Sequence, residues 1–298
     1  VSLLRHWLPA ARTNAAEVFG LPGMYLGHGY LPPVRADRML HSTSTWEFCI
    51  EVTAQVVRTA WDAWDYTGDE TLLTDTVYPA IRDLARFYCA YVSRDVHGHY
   101  QVIPTVEAEH WGFTDRFFKN RDAASALSMI HWTLTRAIEA AELLGRDHDL
   151  RPWWREVADH LAPYPTFETP EGLIFSGVAD VDPRPENYDF FAGAAPTVLG
   201  DTIHLDSPEA EKSIMLRTVR QVRGWRNHQV YHLLGKDPER IHTRSGKKFG
   251  GEDFNEAQAE PITTTEQLLN LDPERLLNSR NGRLHLFPCV PAEATLAF

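Results

Sequence analysis

Two glutamates lie two residues apart in the stretch Gln101-Val-Ile-Pro-Thr-Val-Glu-Ala-Glu-His110, and Trp111 follows directly. In an extended loop, residues two apart point to the same side, so Glu107 and Glu109 could serve one site while Ala108 turns away. An aromatic neighbour desolvates a carboxyl, disfavours its anion and keeps a proton available near neutral pH. A general acid is the chemistry this would supply, and the residue types alone do not choose between the two glutamates. An ordinary loop glutamate paired with a basic residue is the alternative for either. A second acidic group, Glu252, Asp253, Glu256 and Glu260, lies between a glycine pair and Pro261 and encloses Asn255. Like charges this close repel unless something compensates them, so the cluster reads either as a solvated acidic loop or as the source of a general base. No member has the spacing of a known calcium loop, and no metal is expected.

Other chemistries find less support. The chain carries no G-x-S-x-G, no P-loop, no G-x-G-x-x-G after a strand and no H-E-x-x-H. Cys49, Cys89 and Cys289 are far apart with no C-x-x-C, which argues against a zinc ribbon and a disulfide framework and for buried thiols. Lys and Arg number 29 against 41 Asp and Glu, and the net charge of −12 speaks against nucleic acid or an anionic membrane as partner.

The elements that must hold these residues read as helices. Phe48 to Tyr66 keeps apolar spacings of three and four and closes at Thr67-Gly68-Asp69. Leu72 to Tyr88 forms a second stripe, with Pro79 near the start of its longer part. Asp122 to Leu144, Trp153 to Leu161, Pro208 to Leu234 and Thr263 to Leu277 supply the others. Trp61, Trp64, Trp132, Trp153, Trp154 and His131 fall inside these segments and are expected to pack in the core; Trp225 and His228 follow a helix and stay undecided. Between the helices run long, aromatic-rich stretches, Gly20 to Thr45, Gln101 to Arg121, Pro163 to Asp206 and Gly235 to Ile262. Loops this long are uncommon unless they build a site or are disordered. Helix pairs with such loops predict an all-α toroid whose loops form a cup at one end. An α-solenoid would fit the periodicity equally, but no 34-residue self-similarity appears. The tail Gly282-Arg-Leu-His-Leu-Phe-Pro288 alternates like a strand, which sets the expected boundaries at residues 1–280 for the helical domain and 281–298 for a β-segment.

At 298 residues with 43% hydrophobic content, 9 Trp, 10 Tyr and 14 Phe, the chain can bury enough apolar surface to offset its ordering entropy, which excludes a disordered protein. No stretch approaches the roughly 18 apolar residues of a membrane span, and the start shows no signal-peptide pattern, so the chain reads as soluble and its compartment as unknown. A secreted or periplasmic parent protein fits equally.

Several segments, in order, resemble the (α/α)6-barrel domain of glycoside hydrolase family 95, the inverting α-L-fucosidases and their relatives. Trp61-Asp-Ala-Trp-Asp-Tyr-Thr-Gly-Asp69 is similar to the family's W-x-H-Y-x-x-T-G-D, and Val77-Tyr-Pro-Ala-Ile-Arg82 to its Y-P-x-x-K. Residues 101–110 resemble its P-S-x-S-P-E-N loop, and Gly23-Met-Tyr-Leu-Gly-His-Gly-Tyr30 its G-W-x-A-H-H stretch. Gly200-Asp-Thr-Ile-His-Leu-Asp-Ser-Pro208 and Leu276 to Pro291 match late segments. The resemblance implies an (α/α)6-type toroid, inverting cleavage of an α-linked L-fucose-type sugar, an oligo- or polysaccharide as partner and no cofactor. It makes Glu109 the acid, in the register of the family glutamate, with Glu107 on a serine and so set to orient substrate. It places the base near Glu256, with Asp253 and Glu260 beside it. His28, Trp46, His110, Trp111, Glu107, Asn255 and Glu260 become substrate contacts, although His28 also reads as a structural histidine.

The departures are equally specific. The family's upstream Asn-x-Asn would precede Val1, its H-x-H-x-S-H is missing around residues 188–193, and its D-G-N-F-G-G segment has only Gly250-Gly-Glu-Asp-Phe-Asn-Glu-Ala257 in its neighbourhood. The barrel is therefore expected to be incomplete, with the remainder of a longer parent chain supplying the missing helices. A phosphorylase using Arg244 to Lys248 as a phosphate cradle, a polysaccharide lyase using Tyr188, His110 and Arg116, and a non-catalytic carbohydrate-binding fragment are the other readings on the same barrel.

Overall fold

The computed structural model describes residues 2–28, 45–107, 111–185, 192–222, 230 and 233–234. Its first element is α1 (Ser2–Phe19), which apolar periodicity does not single out and which carries Pro9 internally. A 3₁₀ turn (Thr45–Phe48), α2 (Val52–Thr67), the one-turn α3 (Glu70–Leu72) and a π-helical turn (Leu73–Val77) lead into α4 (Tyr78–Tyr91). Strands β1 (Ser93–Arg94) and β2 (Tyr100–Gln101) pair antiparallel, followed by α5 (Ala124–Leu143) and α6 (Arg151–Asp159). The antiparallel hairpin β3 (Thr166–Thr169) and β4 (Gly172–Phe175), the short α7 (Ala195–Val198) and α8 (Glu209–Gln221) follow.

Local chemistry sets the helix ends. Gly68 takes the left-handed conformation (φ 63°) and its N–H donates to Trp64 O, closing α2 where the sequence predicts. One residue on, the Asp69 side chain accepts from the Thr71 and Leu72 N–H groups and starts the next turn. Pro79 and Pro152 sit in the first turns of α4 and α6, where a missing N–H costs no helical bond.

The helices repeat as hairpins with a fixed sense. Arg5 on α1 donates to Thr76, and Arg12 pairs with Asp83 on α4; both links span 71 residues, so α1 and α4 run parallel. On α2 and α5, Arg58 lies over the Trp132 ring and Arg136 over the Trp61 ring, again a parallel pair. Helices α1 and α4 thus form one layer and α2 and α5 another, while α6 packs on α4 and α5. This is the side-by-side hairpin arrangement of an (α/α) toroid. Trp61, Trp132, Trp154, Tyr25, Tyr88 and Phe87 are fully buried between the layers, each contributing on the order of 2–3 kcal/mol of burial. Helix α5 is apolar or small on nearly every side because it is enclosed by α2, α4, α6 and α7. A separate small core joins Ile174 and Phe175 of the hairpin to Met215, Val219 and Val222.

The parallel hairpins bring the C-terminal ends of α1, α4 and α6 and the N-terminal ends of α2 and α5 to one end of the molecule. Phe19, the last residue of α1, meets the rings of Tyr25, Phe48, Phe87 and Tyr91 there. The turn after α1 presses directly on α4: at Gly23 (φ 98°) a Cβ would lie 2.1 Å from Asp83 O.

Some expectations shift. The helix predicted from Phe48 starts at Val52, because Thr45–Phe48 forms a separate 3₁₀ turn. Pro163 to Asp206 is not one loop but holds the β3–β4 hairpin and α7. The first helix of the segment from Pro208 ends at Gln221, where Val222 turns extended (ψ 132°), and Val230 and Leu233 further on are helical again. Trp153 is 38% exposed and so lies outside the core, since α6 turns its Trp154 and Val157 face inward. Cys49 and Cys89 are buried thiols as expected, and burial pushes Cys89 up to about 12. Among the described residues no helix is long and apolar enough to cross a membrane. Cys289, Trp225, His228, residues 263–277 and the 281–298 segment lie outside the described residues.

Candidate active site

The connection from α4 to α5 is anchored at several points along its length. Its outer ends are tied by a reciprocal pair: Val102 N–H donates to Asp122 Oδ1 at 2.7 Å, and Asp122 N–H donates to Val102 O at 2.9 Å. Asp122 is mostly buried, and burial raises its carboxyl to about 6 despite the Val102 N–H and the nearby Arg121. Inside this pair sits a second one. Thr105 N–H donates to Asn120 O at 2.9 Å, and the fully buried Asn120 carboxamide donates to Thr105 O and Gly112 O while accepting from Thr114 N–H and Thr114 Oγ1. The Tyr91 hydroxyl donates to Pro104 O at 2.6 Å, and Val106 N–H donates to Phe48 O at 2.9 Å. This last bond sets Glu107 beside the turn that leads into α2.

Beneath the cup lies a layer of acids and phenols. Glu107 is 0% exposed and Glu51, at the N-terminus of α2, is 1% exposed. Burial pushes Glu51 up to about 8, offset only in part by its own backbone N–H, so folding favours its neutral form. Tyr25 donates to Glu47 O and Tyr88 donates to Ile50 O. Burial drives both phenols well above their ordinary range, and the neighbouring Glu51 reinforces this in each. Gly27 takes the left-handed conformation (φ 78°) that favours glycine, with the Glu47 carboxylate beside it. A protonated Glu51 limits the negative charge under the site, which a fully ionised layer would not.

Aromatic side chains gather at this end of the hairpins. The rings of His28 and Trp46 meet edge to face at 5.0 Å, and Trp46 is 36% exposed. Gly112 approaches Thr45 closely enough that a Cβ would lie 3.0 Å from its Oγ1, which brings the Trp111 segment against the Trp46 segment. The Trp111 indole N–H donates to Lys119 O, and the Lys119 ammonium lies 4.5 Å over its ring, so Lys119 occupies one face of the expected platform.

Of the residues expected from sequence, the structure therefore brings His28, Trp46, Glu107 and Trp111 to one end of the hairpins. Glu109, His110, Asp253, Asn255, Glu256 and Glu260 lie outside the described residues, as do Tyr188 and the Arg244 to Lys248 stretch. The side chain of Arg116, named for a lyase, is 92% exposed. Among the described residues no group of three or more His, Cys, Asp or Glu is placed to hold a metal ion.

Sequence reasoning missed Glu51, Asn120 and a cluster on the α2–α5 layer. In that cluster Arg58 pairs with Asp201 at 2.9 Å and donates to Leu199 O, with Asp201 in the left-handed region (φ 50°). Glu51 could have been found as an acid on the buried side of the α2 stripe. Asn120 carries no local signal, because its partners come from residues up to 15 positions away.

The family model for the glycosyl hydrolase family 95 catalytic domain matches residues 1–172, more than half of the chain. No curated protein matches. A solved structure described as a kojibiose phosphorylase from the human microbiome is similar at 10% identity with a TM-score of 0.45, over 96% of this chain and 41% of its own. The chain thus spans less than half the length of that protein.

Proposed function

The chain belongs to the glycosyl hydrolase family 95 catalytic-domain family, and from that premise we propose that it takes part in inverting hydrolysis of an α-linked L-fucose-type sugar from a glycan. The observation that carries this reading is that the family match takes in the whole loop bearing Glu107 and Glu109 and the helices that anchor it.

In this reading Glu109 gives its proton to the leaving glycosidic oxygen as the bond from that oxygen to C1 breaks. A water attacks C1 from the opposite face, and its proton passes to a carboxylate, with Glu256 the first choice and Asp253 the second. The two carboxyls of an inverting site stand about 6.5–9.5 Å apart to leave room for the water. Glu107, buried at the root of the same loop, orients Glu109 and the sugar. The loop's nested hydrogen bonds support this division of labour, because an acid must be held in place through the reaction.

The test is product analysis with this chain on 4-nitrophenyl α-L-fucopyranoside and fucosylated oligosaccharides. The expected product is the free sugar, first formed as the β-anomer by NMR and independent of phosphate. A sugar 1-phosphate would replace hydrolysis with phosphorolysis, an unsaturated product would indicate a lyase, and sugar-dependent thermal stabilisation without turnover would leave a binding module.

A further inference from the structure

The loop that carries the site continues into an aromatic surface that the hydrolytic chemistry does not use. Phe113, Phe117 and Phe118 are 43%, 40% and 56% exposed, an unusual display for three phenylalanines within six positions. The Phe113 ring meets Phe48 at 5.0 Å and Phe117 at 5.4 Å. Phe48 also accepts the Val106 N–H beside Glu107, so the surface is continuous with the cup.

The rings are also held in place rather than loosely attached. Asn120 and the Thr114 hydroxyl tie the loop at both ends, with Thr114 Oγ1 accepting from Lys119 N–H. Between them Arg116 and Phe117 take consecutive left-handed conformations (φ 51° and 54°), which residues with a Cβ rarely adopt. A turn that only connected elements would not need two such residues in a row with apolar rings facing water.

We infer that Phe113, Phe117 and Phe118 form a platform for the part of the glycan beyond the scissile bond, a neutral oligosaccharide that lays the C–H faces of its rings on theirs. The negative face of an aromatic ring attracts the weakly positive C–H groups on one side of a pyranose. Phe117 stands edge-on to Phe113 at 83°, beside the exposed Asp115–Arg116 pair, and rings held in this way leave little ordering to be done on binding. The inference rests on the glycoside-hydrolase reading and assigns the segment of substrate that this loop selects.

The experiment compares wild-type protein with the Phe117→Ser, Phe118→Ser double variant, whose substitutions are exposed and whose folding is checked by its melting temperature. Two substrates are used, 4-nitrophenyl α-L-fucopyranoside, whose leaving group is a single aryl ring, and a longer oligosaccharide ending in the same sugar. Binding of the oligosaccharide lacking its terminal sugar is followed by calorimetry. Loss of two stacking rings is expected to lower kcat/KM on the long substrate and weaken the calorimetric Kd by about tenfold, with the aryl glycoside changed less than about twofold. Equal losses on both substrates, or an unchanged Kd, would overturn the platform. So would a wild-type dimer that the substitutions dissociate, which would make the surface a contact between copies. If no substrate is turned over, the hydrolase reading fails, while the calorimetric comparison still decides the platform.

Discussion

Thr105 and Asn120 clamp each other across 15 residues, the Thr105 N–H donating to Asn120 O at 2.9 Å and the Asn120 carboxamide donating back to Thr105 O at 3.1 Å. The loop between them carries both glutamates of the candidate site and the aromatic surface. Asn120→Ala leaves Thr105 O, Gly112 O and the Thr114 N–H without this partner. A stability loss of about 2–3 kcal/mol is expected in urea unfolding. Because the acid would no longer be held in register, kcat should fall by about 10²-fold with KM little changed. A variant with wild-type stability and kcat would show that the clamp is incidental.

Glu51 gives a pH test. Its folded-state value of about 8 lies above the ordinary 4.5. Between those values the unfolded chain has released the proton and the folded chain retains it, so stability from this group is present at low pH and declines as pH rises to about 8. The slope is at most about 1.4 kcal/mol per pH unit. Glu51→Gln removes that decline. It is expected to melt close to wild type at pH 5 and above it at pH 8; the same difference at both would contradict a neutral, buried Glu51.

Asp147 titrates the other way. The Arg82 guanidinium, bonded to both carboxylate oxygens at 2.7 and 2.9 Å, and then the Tyr78 hydroxyl hold it below the usual carboxylate range. Its contribution is therefore complete above pH 3.8 and lost as pH falls through the lower folded value. Asp147→Asn should cost about 1–3 kcal/mol at neutral pH, and the gap should close in acid. This pair sits at the end of the hairpins opposite the cup, so kcat is expected to stay unchanged in the same samples.

The hairpin architecture was largely legible in the sequence, since apolar spacing and signals such as Thr67-Gly68-Asp69 act locally. Helix α1 was not, because alanines and Pro9 dilute its stripe, and the β3–β4 hairpin was hidden in a polar stretch where only Thr169 of Thr166–Thr169 is buried. For the site, Glu107, Trp111, Trp46 and His28 could be named from residue type and family register. Asn120 could not, because its importance comes from partners that only the packed chain creates, whereas Glu51 is legible as an acid on the buried side of the α2 stripe. Trp153 and Trp154 show the limit of position alone: adjacent on one helix, one is 38% exposed and the other 0%.

Whether Glu109 is the proton donor is measured most directly by the hydrolysis rate of Glu109→Gln on substrates with good and poor leaving groups. Glutamine keeps the shape and hydrogen bonding of the acid but has no transferable proton. Turnover with a poor leaving group is expected to fall by about 10²–10⁴-fold. A good leaving group needs little protonation and should lose much less, and the alkaline limb of the pH profile should flatten. Glu107→Gln should alter affinity more than turnover. Equal losses for good and poor leaving groups, or a loss no greater than that of Glu107→Gln, would contradict the account.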